Sequence, residues 1–153
     1  MTRPFKIHRL EVGDLKKMQS LVALLNEVFE EYHSVGSDKQ LEKLLSNPDF
    51  HAIVAIEDDI IVGGVTVYEM ARYYSDKSEL YIYDIAVKTE LQNKGIGKKL
   101  LDFLKAYGRE NNIETIFVEA LSDEDQAVKF YESTFGKREK VDHFNFEIKI
   151  DGA

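Results

Sequence analysis

Apolar and polar positions alternate along the chain with two periods, and the switches between them mark out its elements. Phe5 to Leu10 reads as a first short strand, punctuated by Gly13 and Asp14, with Asp14 placed to cap the next element. From Leu15 the apolar residues Met18, Leu21, Val22, Leu25, Val28, Phe29 and Tyr32 recur at steps of three and four, the stripe of an amphipathic helix. A shorter helix starts at Ser37, where Ser37 and Gln40 have capping-box spacing ahead of Leu41, Leu44 and Leu45, and it stops at Asn47-Pro48. Phe50 to Ile56 and Ile60 to Met70 are β-rich runs that Glu57-Asp58-Asp59 joins as a hairpin, with Gly63-Gly64 as the expected place for a bulge. Beyond a polar loop from Arg72 to Ser78, Glu79 to Val87 is the most strand-like segment, followed by a glycine loop at Gln92 to Gly97. Ile96, Leu100, Leu101, Leu104 and Tyr107 then keep helical spacing until Asn111-Asn112. Glu114 to Ala120 predicts a strand, Asp125 to Thr134 a helix, and Lys137 to Val141 with Phe144 to Ile150 two final strands. Hairpins around one strand, loop, helix, strand unit predict an α/β fold, a central mixed sheet flanked by helices, in a single domain over residues 1–153.

Composition narrows the chemistry. The chain has 153 residues, 44% of them hydrophobic and 11% aromatic, which is enough apolar material for one substantial core. With 20 Lys plus Arg against 28 Asp plus Glu the net charge is −8, which argues against nucleic acid and favours a cationic partner. Cys is absent, excluding disulfides, a thiolate nucleophile and Cys-based metal sites; a reducing cytoplasm suits such a chain. Met1 to Leu15 mixes charges into its apolar residues without a signal-peptide core, and the longest apolar runs fall far short of the ~20 residues of a membrane span. His8, His33, His51 and His143 lack metal-ligand spacing and read as structural or surface histidines, so no metal is expected.

The strand and loop in the middle carry the candidate chemistry. Gln92-Asn93-Lys94-Gly95-Ile96-Gly97-Lys98-Lys99 leads into the first turn of a helix, where backbone N–H groups lack intrahelical partners and the helix dipole adds positive charge. Such a spot accepts phosphate if no side chain blocks it, and the lysines favour a pyrophosphate. The dinucleotide fingerprint fails at Leu100 and a Walker loop fails at Lys99. Asp84, between Tyr83 and Ile85, is a carboxylate in an apolar, aromatic strand. That leaves two readings, a general base beside an ammonium or a salt-bridged surface residue. Tyr131 shares a helix face with Val128 and Phe135, as a buried tyrosine or as an acid. Without Cys or a Gly-x-Ser-x-Gly elbow, direct attack in a ternary complex is favoured over a covalent acyl-enzyme.

Gln-x-x-Gly-x-Gly between a strand and a helix resembles the acyl-CoA pyrophosphate loop of the GNAT superfamily of N-acetyltransferases, and the element order from Phe5 to Ile150 is similar to that fold. Tyr81-Ile82-Tyr83-Asp84-Ile85-Ala86-Val87, Asp125 through Tyr131 and His143-Phe144 resemble the aminoglycoside 3-N-acetyltransferases of type I. The resemblance implies acetyl-CoA as cofactor, held by Ile85, Ala86, Val87, Gln92, Asn93, Lys94, Gly95, Ile96, Gly97, Lys98 and Phe130. It implies Asp84 as base, Tyr131 as acid to the leaving thiolate, and a homodimer. The acceptor it implies is a small cationic amine, foremost an aminoglycoside 3-amine, with Tyr83, Asp84, Glu119, Asp123, Asp125, Asp142 and Glu147 around it. Leu121 and Asn145 stand where that type carries carboxylates, which keeps open another acceptor (a polyamine, a small metabolite or a protein amine). A non-catalytic acyl-CoA-binding module is the remaining alternative.

Overall fold

The structure, a computed structural model, describes residues 4–31 and 34–149; Tyr32 and Ile150 of the expected elements, and His33 among the histidines, lie outside the described residues. In chain order the elements are β1 (Lys6–Arg9), α1 (Leu15–Val28), α2 (Asp38–Ser46), β2 (Phe50–Glu57), β3 (Ile60–Met70), β4 (Ser78–Val87), a 3₁₀ turn (Thr89–Leu91), α3 (Ile96–Glu110), β5 (Ile113–Val118) and α4 (Asp125–Ser133). They fall into two compact units, one ending at Glu119 and one beginning at Ala120.

The first unit is a five-stranded sheet in the order β1-β2-β3-β4-β5. Its pairings are antiparallel up to β4, and the α3 crossover makes the β4–β5 pair parallel. Asp58 and Asp59 close the β2–β3 hairpin with φ of +49° and +63°, a two-residue turn whose twist matches the strands. Helices cover both faces. Met18, Leu21 and Leu25 of α1 and Leu41 of α2 pack on Ala52, Val54 and Ala86, whereas Ile96, Leu100 and Leu104 of α3 pack on Ile53, Val65, Val67, Leu80 and Ile82. β2 is therefore apolar on both sides, as the run from Ala52 to Ile56 requires. His51 is buried among these elements: the Arg9 guanidinium donates to Nδ1, so Nε2 carries the proton and faces Glu69 at 3.1 Å. Burial holds its pKa below the usual value, consistent with a neutral structural histidine.

Several local expectations are corrected. Ser37 caps α2 as its spacing predicts, accepting from the Gln40 N–H at 3.2 Å. Asp14 instead turns its carboxylate back to the Glu11 N–H at 2.8 Å and leaves α1 without a side-chain cap. The stripe to Tyr32 outlasts its helix: α1 ends at Val28, and Glu30 takes φ +53°. The irregularity of the hairpin lies at Val62, since Ala55 pairs with Gly63 and Ile56 with Ile61. Gly64 serves another purpose: a Cβ there would come within 2.3 Å of Leu21 Cδ1.

In the second unit α4 ends in a Schellman turn, with Gly136 N–H donating to the Tyr131 carbonyl at 2.9 Å and Phe135 N–H to Glu132 at 3.1 Å. Residues 137–149 form no strand, contrary to the two predicted. Phe144, Phe146 and Ile148 keep the period of a strand with one apolar face, but each is at least 76% exposed. Alternation marks a segment able to pair; only a partner edge makes it a strand.

Candidate functional site

β4 is paired unequally along its two edges. Against β3 the pairing spans the strand from Gly63↔Val87 to Met70↔Glu79 with one register shift, whereas β5 reaches only from Ser78↔Ile113 to Ile82↔Val118. Tyr83 to Val87 thus have no β5 partner, so among the described residues no strand pairs with this edge of β4, and its backbone groups suit a ligand that can hydrogen-bond to them. Ile85, Ala86 and Val87, three of the expected cofactor residues, lie here.

A β-bulge decides where Asp84 points. Val67 pairs with Ile82 and Thr66 with Asp84, so Tyr83 is the extra residue. Strict alternation would have put Asp84 on the face of Leu80 and Ile82, inside the α3 core. The bulge transfers it to the opposite face, where Ala86 joins the α1 core. Asp84 is half-buried there, and its carboxyl is pushed up to about 6 by burial first and the Glu31 charge second. Glu31 is held by its own N–H, which donates to the Asn26 carbonyl at 3.0 Å past the end of α1. Tyr83 and Glu119 are exposed nearby: both raise the Tyr81 phenol, after burial as the larger cause. Sequence reasoning assigned no site role to Glu31, Tyr68 or Tyr81, because the approach of Glu31 and Tyr81 to Asp84, and of Tyr68 to Tyr83, depends on the register of β3 with β4 and on the turn after α1.

The glycine loop returns onto the same strand. The Gln92 side-chain amide donates to the Val87 carbonyl at 3.0 Å. Asn93 and Gly95 take φ of +62° and +86°, and α3 starts at Ile96, with Lys99 N–H donating to the Gly95 carbonyl at 3.0 Å. A Cβ on Gly95 would meet nothing within 4 Å, so its conformation rather than crowding calls for glycine, and the space in front of the turn is clear. Ile96 is buried in the α3 core and anchors the turn, while the N–H groups of Ile96, Gly97 and Lys98 have no intrahelical acceptor. Lys98 pairs with Asp102 at 2.9 Å, and Lys94 is exposed. Bare N–H groups, a left-handed glycine and an open strand edge fit a pyrophosphate followed by an amide-bearing arm.

In the second unit Tyr131 is half-buried on α4, its ring 5.2 Å from that of Phe130. The Thr134 hydroxyl and the Gly136 N–H both donate to its carbonyl. A Cβ on Gly136 would come 2.9 Å from that carbonyl, so Gly136 is required for this helix end. Asp125 opens α4, and Asp123, Asp142 and Glu147 are exposed. Among the described residues no helix is long and apolar enough to cross a membrane.

Comparison with known proteins gives these features a context. The model of the acetyltransferase (GNAT) family matches residues 18–136. An aminoglycoside acetyltransferase from an uncultured soil metagenomic sample, solved with trehalose, is 41% identical and superposes with a TM-score of 0.92 over 95% of this chain and 97% of that one. Its complex with sisomicin aligns at 40% identity, with the same TM-score and coverage. Glucosamine 6-phosphate N-acetyltransferase of Arabidopsis thaliana is 28% identical over 110 residues, 68% of this chain and 72% of that protein. An open β4 edge, a phosphate-ready turn into α3 and the match over most of its length place this chain in the GNAT family of acetyltransferases.

Proposed function

We propose that both units together form one catalytic domain that moves acetyl from acetyl-CoA to a primary amine of a small polycationic acceptor, the 3-amine of an aminoglycoside first among them. The family model spans parts of both units, which supports treating them as one domain. The observation that carries the reading is Asp84, a half-buried carboxylate that a bulge brings out of the core beside the open edge of β4.

Acetyl-CoA supplies a thioester acetyl group, which the turn from Gln92 to Lys98, the β4 edge at Ile85 to Val87 and the Phe130 ring would hold. Asp84 attracts the acceptor ammonium and takes one of its protons, directly or through water, leaving a nitrogen lone pair for the carbonyl carbon. Backbone N–H on the open edge stabilises the negative charge that builds on the carbonyl oxygen as the C–N bond forms. Tyr131 gives its phenolic proton to the sulfur as the C–S bond breaks; the second proton that the nitrogen loses on becoming an amide restores the phenol through solvent, and Asp84 releases the first to solvent. Tyr83, Asp84, Glu119, Asp123, Asp125, Asp142 and Glu147 supply the cationic acceptor's surroundings. A homodimer and a cytoplasmic location complete the reading, from the resemblance and from the cysteine-free composition.

An acceptor phosphate, as the Arabidopsis relative's name implies for that enzyme, would be repelled by Asp84 and Glu31. A different cationic amine is the second reading, because Leu121 and Asn145 leave the acidic surroundings incomplete. Thiol release from acetyl-CoA with gentamicin, spermidine and a lysine peptide at equal concentration separates the two. Efficient turnover of gentamicin alone is the expected outcome; turnover of another amine in its place moves the acceptor to the second reading. Asp84→Asn should lower kcat by about 100-fold or more, and Tyr131→Phe by about tenfold or more, with the KM for acetyl-CoA little changed. Unchanged turnover in both removes the mechanism.

A further inference from the structure

Three tyrosines line the sheet beside Asp84 on the α1 side. Tyr68 of β3 meets Tyr83 at 5.9 Å between ring centroids, with planes at 73°, and Tyr81 meets Tyr83 at 6.3 Å and 81°. Both supports are themselves held. Tyr81 stacks on Phe117 of β5 at 4.8 Å, and Tyr68 packs on Phe50 of β2 at 5.2 Å. Tyr83, the bulge residue, is nevertheless 62% exposed. An exposed side chain ordinarily samples several rotamers; this one is wedged between two fixed rings, so its open surface keeps a direction.

The geometry points to Tyr83 as an aromatic platform that selects ring-shaped, ammonium-bearing acceptors over linear ones, with Tyr68 as the positioning residue that holds the platform. The inference rests on the acceptor site proposed around Asp84. The saturated face of an amino-substituted ring covers a flat aromatic surface, which buries apolar area and brings ammonium groups over the π face while others reach Asp84, Glu31 and Glu119. A linear polyamine satisfies the carboxylates equally well but covers little of the ring. The platform therefore contributes to the difference between the two acceptors, and the carboxylates contribute to both.

Calorimetric titration of gentamicin and of spermidine, with coenzyme A present, tests this in wild type, Tyr83→Ala, Tyr83→Phe, Tyr68→Leu and Tyr68→Phe. Tyr83→Ala should bind gentamicin about tenfold more weakly and lose less than about threefold for spermidine. Tyr83→Phe, which keeps the ring, should recover most of the loss. Tyr68→Leu should weaken gentamicin in part and Tyr68→Phe should rescue it; in steady state the KM for gentamicin should rise with kcat nearly held. If Tyr68→Leu fails to fold, the exposed Tyr83→Ala still decides. Equal losses for both amines, no loss in Tyr83→Ala, or no gentamicin binding by wild type overturns the platform. The binding pattern without thiol release from any amine would instead defeat the transferase reading and leave the platform standing.

Discussion

Asp84 is half-buried with Glu31 beside it, and burial, then that neighbouring charge, push its carboxyl up to about 6. A carboxyl that holds its proton more tightly when folded stabilises the fold below its unfolded pKa near 3.8, and that contribution is lost as pH rises through about 6. Asp84→Asn should therefore match wild-type stability at pH 4 and exceed it at pH 7.5, by about 1 kcal/mol once solvent screening at a half-exposed site is allowed for. Denaturant unfolding of both proteins at the two pH values checks this; a variant less stable at pH 7.5 contradicts it. Activity should move the opposite way, with kcat/KM rising as the carboxylate forms near pH 6. The residue was legible in the sequence because carboxylates are rare in strands. Its direction was not, since the bulge at Tyr83 leaves no trace in the alternation.

At the scale of elements, helix and strand types followed from periodicity, and the disagreements cluster where two elements meet. Gly63-Gly64 suggested a bulge, yet the residue out of register is Val62, and Gly64 lets α1 lie close on β3. A Cβ on Gly64 would come 2.3 Å from Leu21 Cδ1 and 3.2 Å from the Ile53 carbonyl. Gly64→Ala should cost about 1–3 kcal/mol, as overpacking does, and lower the melting temperature by several degrees. An unchanged melting temperature would show that Leu21 repacks freely. Capping followed the same division. The Ser37 hydroxyl meets a donor within its own turn and was readable, whereas Asp14 is drawn off by Glu11, His8 and Lys17. The segment from Lys137 to Lys149 has the right composition for strands and lacks pairing, a property that belongs to a neighbour and not to the segment.

Across the whole molecule, a net charge of −8 gives a negative field that attracts a polycation over distance. The Debye length falls from about 30 Å at 0.01 M salt to about 10 Å at 0.1 M, so the acceptor's kcat/KM should drop severalfold across that range while kcat changes little. A salt-independent kcat/KM would confine recognition to short-range contacts such as Tyr83. The charge could be counted from composition alone; the mixed sheet and the helices on both its faces agree with the fold class read from the sequence, short of the two final strands expected after α4.

What the sequence determined by itself is local: the period of each segment, the Ser37 cap, the turn at Asp58-Asp59, the glycine loop into α3, and the chemical types of Asp84 and Tyr131. These are settled by interactions within a few residues, so a short window contains them. Tertiary structure alone decided the end of β5 opposite Ile82, the bulge that takes Asp84 out of the α3 core, and the approach of Glu31 and Tyr81 to it and of Tyr68 to Tyr83. Those depend on register between strands and on packing between segments far apart in the chain. A shift of one residue in either exchanges the two faces of a strand while leaving its pattern unchanged.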